Sequence, residues 1–277
     1  MSWRQASRRD LHALLEFLLP EEALFVPFTS RLRSGARGFE VYLDADRGGA
    51  VRAGFLHTSG GLLLPAFSEP GPDPADLAPV LGDLQPSVHS IMGVGRCVAV
   101  VEASLPLPPT TRVEYFLMTM TGGHRHPVLP SRPNGLLVRM ADGGDADLLF
   151  PLQKGYEMEE VVISPAHFSE GQCMRTLRLS LREQLVAIAE ISGAAVGKAG
   201  TNARGYKVDQ IGGVYTVPEE RGKGIGAAVV SELLNRVFSE KREACLFVKK
   251  HNRSAIALYE RLGFAPLTDY VISYYGL

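Results

Sequence analysis

Leu11, Leu14, Leu15 and Leu18 recur at the three- and four-residue spacing of one helical face, behind a Ser7 cap with Asp10 three residues on and ahead of Pro20. A second amphipathic stretch covers residues 22–32. The period then falls to two, and residues 39–43, 51–58 and 62–67 predict strands, the last pair joined by Ser59-Gly60-Gly61 as a hairpin. A proline-rich turn precedes a predicted helix over 75–81, and residues 90–105 and 113–120 read as strands. Residues 121–134 carry three prolines, glycines and polar side chains with no apolar period, so they cannot bury a face and read as a linker. Beyond it the pattern predicts strand 136–140, helices over about 145–161 and 169–184, and strands 185–191, 195–201 and 211–217. Helix 225–238, strand 244–248, helix 253–262 and strand 269–275 complete the chain. The expected organisation is an α/β domain over 1–120, a linker over 121–134 and a second α/β domain over 135–277.

Composition narrows the picture. A chain of 277 residues suits two cores better than one, and 45% hydrophobic with 21% charged residues is the balance of a folded globular protein. The formal charge of −1 gives no global field for nucleic acid or an anionic membrane, so neither is expected as a partner. Cys97, Cys173 and Cys245 are odd in number and lack CxxC spacing, which predicts reduced thiols rather than a zinc site or disulfide framework. His124 and His126 form an H-x-H pair in the linker with no further ligand nearby in sequence, so no metal is expected. The first ten residues lack a signal peptide's apolar core, and no apolar run reaches the roughly 20 residues that cross a bilayer. A cytoplasmic location is the expectation.

The chemistry concentrates in Arg221-Gly222-Lys223-Gly224-Ile225-Gly226, between an apolar strand and a helix with Val230, Leu233, Leu234 and Val237 on its core face. A helix start carries unpaired N–H groups and a partial positive charge, and glycines let an anion reach them. A pyrophosphate is the expected guest, with Arg221 and Lys223 adding charge. The nucleoside triphosphate loop is excluded because Lys223 is followed by Gly224 rather than Ser or Thr. Gly222, Gly224 and Ala227 satisfy the loose dinucleotide pattern. They follow the fourth strand rather than the first, however, and the next strand ends in Lys249-Lys250 instead of the acidic ribose partner.

Arg-x-x-Gly-x-Gly at Arg221, Gly224 and Gly226, after a strand ending Val217-Pro218, resembles the acetyl-CoA signature of the GNAT N-acetyltransferase superfamily. Asn252-x-x-Ala255-x-x-x-Tyr259-x-x-x-Gly263-Phe264 is similar to that superfamily's later motif, and the resemblance covers about residues 135–277. Asn252 also reads directly as the cap of a helix starting at Arg253, and Gly263 as its left-handed end. The resemblance implies a mixed, largely antiparallel twisted sheet flanked by helices, with acetyl-CoA as cosubstrate and direct attack by an amine of a small molecule or peptide. Tyr215, Thr216 and Val217 would then meet the pantetheine arm, Gly222, Lys223, Gly224, Ile225 and Gly226 with Arg221 the pyrophosphate, and Asn252 the same cosubstrate. A backbone N–H near Val214 or Tyr215 would serve the oxyanion, and Tyr259 would return a proton to the departing thiolate.

Where some members carry a glutamate base, this chain has Gln210, with Asp209 alternating to the other strand face. The base is therefore open between a water chain to Asp209 and a glutamate of the early helices, and a CoA-binding sensor without turnover is the alternative function. Glu157, Glu159 and Glu160 form a candidate cation-attracting wall. The cadence of the first 120 residues resembles a smaller, degenerate copy of the same fold. In its phosphate-loop slot stands Glu69-Pro70-Gly71-Pro72-Asp73-Pro74, whose prolines lack N–H donors, so no CoA binding is expected there. Met92-Gly93-Val94-Gly95-Arg96 is read as a turn or bulge leading into a strand.

Overall fold

A computed structural model describes residues 3–120, 133–161 and 168–276. The linker, including His124 and His126, falls almost wholly outside the described residues. The first half runs β1 (Arg4–Gln5), α1 (Leu11–Leu18), α2 (Glu22–Ser34), β2 (Phe39–Ala45), β3 (Val51–Thr58), β4 (Leu62–Phe67), α3 (Pro74–Leu84), β5 (Ser90–Val94), α4 (Gly95–Ser104) and β6 (Thr111–Met120). The second half repeats that order with β7 (Leu136–Met140), α5 (Ala146–Tyr156), α6 (Glu170–Glu183), β8 (Val186–Ile191), β9 (Ala194–Arg204), β10 (Val208–Thr216), α7 (Ile225–Ser239), β11 (Glu243–Lys249), α8 (Arg253–Arg261) and β12 (Phe264–Tyr274). Each half is thus strand, two helices, three strands, helix, strand, helix, strand.

The twelve strands among the described residues form one sheet in the order β1-β2-β3-β4-β5-β12-β6-β11-β10-β9-β8-β7. Among the described residues only β4·β5 and β10·β11 are parallel, at the same place in each half, and both are short contacts. The halves exchange their last strands. β6 pairs antiparallel with β11, from Cys245↔Thr119 to Lys249↔Tyr115, and β12 lies between β5 and β6. Buried Glu22 at the start of α2 adds a polar tie, its carboxylate accepting the N–H groups of Tyr206, Lys207 and Val208 at 2.6, 2.7 and 3.1 Å. Each half keeps an apolar centre of its own, one around Leu14, Phe28, Phe55 and Phe67, the other around Val230, Leu233, Leu234 and Leu246.

One predicted element is corrected. Residues 90–105 are not a strand: β5 ends at Val94 and α4 begins at Gly95, so the glycine pair leads into a helix. The run Cys97-Val98-Ala99-Val100-Val101 is rich in β-branched side chains, yet the buried positions Cys97, Val98, Val101 and Ser104 follow the helical repeat. The last strand also starts earlier than the pattern suggests, at Phe264, because a register shift between Pro266 and Thr268 lets the ladder to β6 pass a proline.

Candidate active site

Parallel β10 and β11 touch only from Val208↔Glu243 to Ile211↔Leu246 and then diverge. Downstream of Ile211, β10 stays paired with β9 on one side, while β11 stays paired with β6 on the other. A slot opens between them, and alongside β10 a cleft of about 780 Å³ lies in front of α7. Its lining brings together Tyr215, Thr216, Arg221, Gly222, Lys223, Gly224, Ile225, Gly226 and Asn252 from the expected set.

The loop has the geometry an anion needs. Gly222 and Gly224 stand at φ 78° and 83°, a region that side chains with a Cβ avoid. Gly224 is the N-cap of α7 and no side chain caps the helix, so its first N–H groups face the cleft without a partner from their own helix. In the first half the corresponding helix start is closed. The Asp73 carboxylate accepts from Ala75 N–H at 2.8 Å, Pro74 supplies no donor, and Arg96 spans the mouth to the Phe67 carbonyl at 2.7 Å and to Glu69 at 2.9 Å.

Backbone parity along β10 revises which residues face the slot. Val217 N–H donates to the Val196 carbonyl at 3.0 Å, so in an antiparallel ladder Tyr215 also turns its backbone groups toward β9. Val217 does not line the cleft, and the backbone that faces the slot is that of Val214 and Thr216, with the Thr216 carbonyl already accepting from Arg221. On this parity the backbone that faces the slot is one residue away from Tyr215 and Val217, the pantetheine partners expected from the sequence. The shift comes from a bulge: Gly212 pairs with Gly200 and Tyr215 with Lys198, leaving Gly213 and Val214 opposite Ala199 alone.

Behind the bulge lies Lys198, 5% exposed, with Nζ 2.8 Å from the Gly213 carbonyl and 4.7 Å from the centre of the Tyr156 ring. Burial lowers its pKa to about 8, against the opposing pull of Glu157 and Cys173. Nothing in the sequence marked this residue beyond a lysine inside an apolar strand.

The segment Glu157–Val161 continues α5 as a turn of π-helix and engages its carboxylates with side chains of the chain itself. Glu159 holds Arg221 Nη2 at 2.7 and 3.0 Å and accepts the Tyr215 hydroxyl at 2.9 Å. Glu160 pairs with Lys249 at 2.9 Å, and Glu157 accepts from Gln153 at 2.9 Å. The triplet is a set of engaged carboxylates rather than a bare acidic wall. Arg221 also donates through Nε to the Thr216 carbonyl, and Lys223 pairs with Glu220 at 3.1 Å.

Asn252 caps α8 as its sequence context implies, accepting from Ala255 N–H at 3.1 Å, while it borders the cleft. Tyr259 is buried against Phe264, outside the cleft lining. Burial, with the charge of Glu160 in the same direction, pushes its pKa up and keeps the phenol protonated. Gln210 is buried in β10 away from the cleft. Asp209 is held by Arg242 at 2.7 Å and Arg204 at 3.2 Å, so both its oxygens are committed to guanidinium groups. Among the described residues, Glu159, Glu160 and Glu220 are the carboxylates that border the cleft.

Among the described residues no helix is long and apolar enough to cross a membrane. Residues 153–264 match the model of the Acetyltransferase (GNAT) family. Among solved structures, a GCN5-related N-acetyltransferase from Sphaerobacter thermophilus aligns over 98% of this chain and 94% of its own, at 17% identity and a TM-score of 0.64. A tandem GNAT protein from the clavulanic acid biosynthesis pathway aligns over 98% and 97% at 14% identity and a TM-score of 0.60. A Drosophila protein aligns over 98% of both chains at 12% identity and a TM-score of 0.68. Among curated proteins none matches the sequence. The glycine-lined helix start, the splayed parallel pair and the repeated halves thus agree with these matches: residues 153–264 are a GNAT acetyltransferase-family domain, in a chain with the fold of tandem GNAT proteins.

Proposed function

We propose that the protein moves the acetyl group of acetyl-CoA to an amine, of a small molecule or a peptide, by direct attack on the thioester. The observation that carries this reading is the uncapped start of α7 opening through Gly222 and Gly224 into the 780 Å³ cleft, alongside the stretch of β10 that β11 leaves unpaired. Free N–H groups at the helix start suit the diphosphate, and the backbone of Thr216 suits a pantetheine amide lying along β10. Val214 N–H would receive the oxyanion as the amine adds. Tyr259, protonated across the working pH range, would supply a proton to the leaving thiolate through a short relay, since its own position is behind the cleft wall. For the base, a cleft carboxylate such as Glu160 or Glu220, acting directly or through water, replaces Asp209, whose oxygens are occupied.

Release of CoA thiol from acetyl-CoA, measured across a panel of amines, tests the reading, with Gly224→Val as the control that should abolish acetyl-CoA binding in a folded protein. Gln210, standing where a carboxylate base would be expected, favours a second reading in which the cleft binds CoA as a sensor. Tight acetyl-CoA binding with no thiol release from any amine would select it.

A further inference from the structure

Resting on that reading, we propose that Lys198 is a positioning residue for acyl transfer: its amine fixes the Gly213–Val214 peptide of the β10 bulge so that Val214 N–H points at the thioester carbonyl. A trans peptide is planar, with the C=O of residue 213 and the N–H of residue 214 pointing in opposite directions, so whatever holds one aims the other. In a regular strand the ladder would set that plane. Here Gly213 and Val214 share one partner residue on β9, and Gly213 sits at φ 59°, so the ladder leaves this plane under-determined.

Lys198 supplies the missing constraint. Its register on β9 is opposite Tyr215, the first residue after the bulge, and its Nζ reaches back 2.8 Å to the Gly213 oxygen. The amine is itself immobilised, 95% buried over the Tyr156 ring. An oxygen held from below the sheet by a fixed donor leaves the opposed N–H directed away from Lys198, and Val214 borders the cleft. A buried amine is costly to retain where an apolar side chain would fill the same space, which argues for a task beyond packing. Lys198 touches none of the reacting atoms in this scheme. It acts through the backbone it orients.

The experiment uses the full chain with two substitutions that disturb the same hydrogen bond from opposite ends. Lys198→Met keeps length and volume but removes the donor. Gly213→Ala places a Cβ 3.2 Å from Nζ at a φ that alanine disfavours. Each should lower kcat by about tenfold or more, in the direction of losing an oxyanion donor, while KM for acetyl-CoA stays within about twofold, and the double variant should lose little beyond either alone because both act through one plane. Isotope-edited infrared spectra of bound acetyl-CoA give a readout that needs no turnover. The thioester carbonyl should absorb at lower frequency in the wild type than in free acetyl-CoA and return toward the free value in Lys198→Met. An unshifted carbonyl in the wild type, an unchanged kcat in the variants, or additive losses would overturn the proposal. If Lys198→Met does not fold, the lysine is structural and the proposal fails as well. Wild-type protein that binds no acetyl-CoA would instead refute the reading on which this inference stands.

Discussion

Replacing Glu159 with glutamine should tighten the binding of CoA. In the structure the Glu159 carboxylate holds Arg221, at the head of the glycine loop, through Nη2 at 2.7 and 3.0 Å, and it borders the cleft where the diphosphate is proposed to lie. A diphosphate must therefore compete for Arg221 and tolerate a neighbouring negative charge. The pair is half open to solvent, with side-chain exposures of 48% and 42%, so water screens it and its strength is at most about 1 kcal/mol. Removing the competitor can return up to that amount to the ligand, which corresponds to about a fivefold lower Kd. Arg221 should keep its place in the variant because Nε remains bonded to the Thr216 carbonyl at 3.0 Å. Calorimetric titration with CoA and, in parallel, with pantetheine separates the electrostatic cause from a change in cleft shape. CoA affinity should rise, more at low salt than at high, and pantetheine affinity should stay the same. Equal or weaker CoA binding in Glu159→Gln, or a parallel shift for both ligands, would refute the competition.

Lys198 carries a pH signature of its own. Its pKa falls from 10.5 unfolded to about 8 folded, so below pH 8 both states hold the proton, and as pH rises the native state gives it up first and gains stability. Between pH 8 and 9 the wild type should gain about 1 kcal/mol relative to Lys198→Met in urea unfolding, and parallel curves would contradict the assignment. Tyr259→Phe should leave the melting temperature and acetyl-CoA binding nearly unchanged, because the ring still packs edge-on to Phe264, while kcat falls by about 10- to 100-fold. Unchanged turnover would remove Tyr259 from the proton path. In Gly155→Ala the new Cβ would lie 2.5 Å from the Tyr215 hydroxyl, so the gain in helix propensity should be outweighed and stability should drop by about 1–3 kcal/mol in chemical denaturation. A more stable variant would show that α5 can move away from β10 at no cost.

What the chain discloses in one dimension follows the range of the forces involved. Strands 51–58, 62–67 and 136–140 match the structure to the residue, because alternation and bracketing turns are local signals. The glycine loop and the Asn252 cap were equally visible, since their chemistry lies within a few neighbours. The helix at Gly95–Ser104 was hidden by valines that serve either period. At the site, the one-residue offset from Val217 to Thr216 depends on a bulge that only the pairing with β9 defines. Glu159 and Lys198 owe their roles to partners 62 and 15 residues away, respectively, and no local pattern encodes such meetings.

The interleaving of β6 between β11 and β12 has an evolutionary and practical corollary. β11, which flanks the slot beside β10, is hydrogen-bonded along its other edge by β6 of the first half. The first 120 residues in this sense brace a strand beside the proposed cosubstrate site. Excising them would strip that strand of its partner and expose a raw edge from Cys245 to Lys249, so a truncated gene should yield an aggregating fragment rather than a smaller enzyme. Because the halves trade strands in this manner, a gene that lost either half would leave strands of the other unpaired.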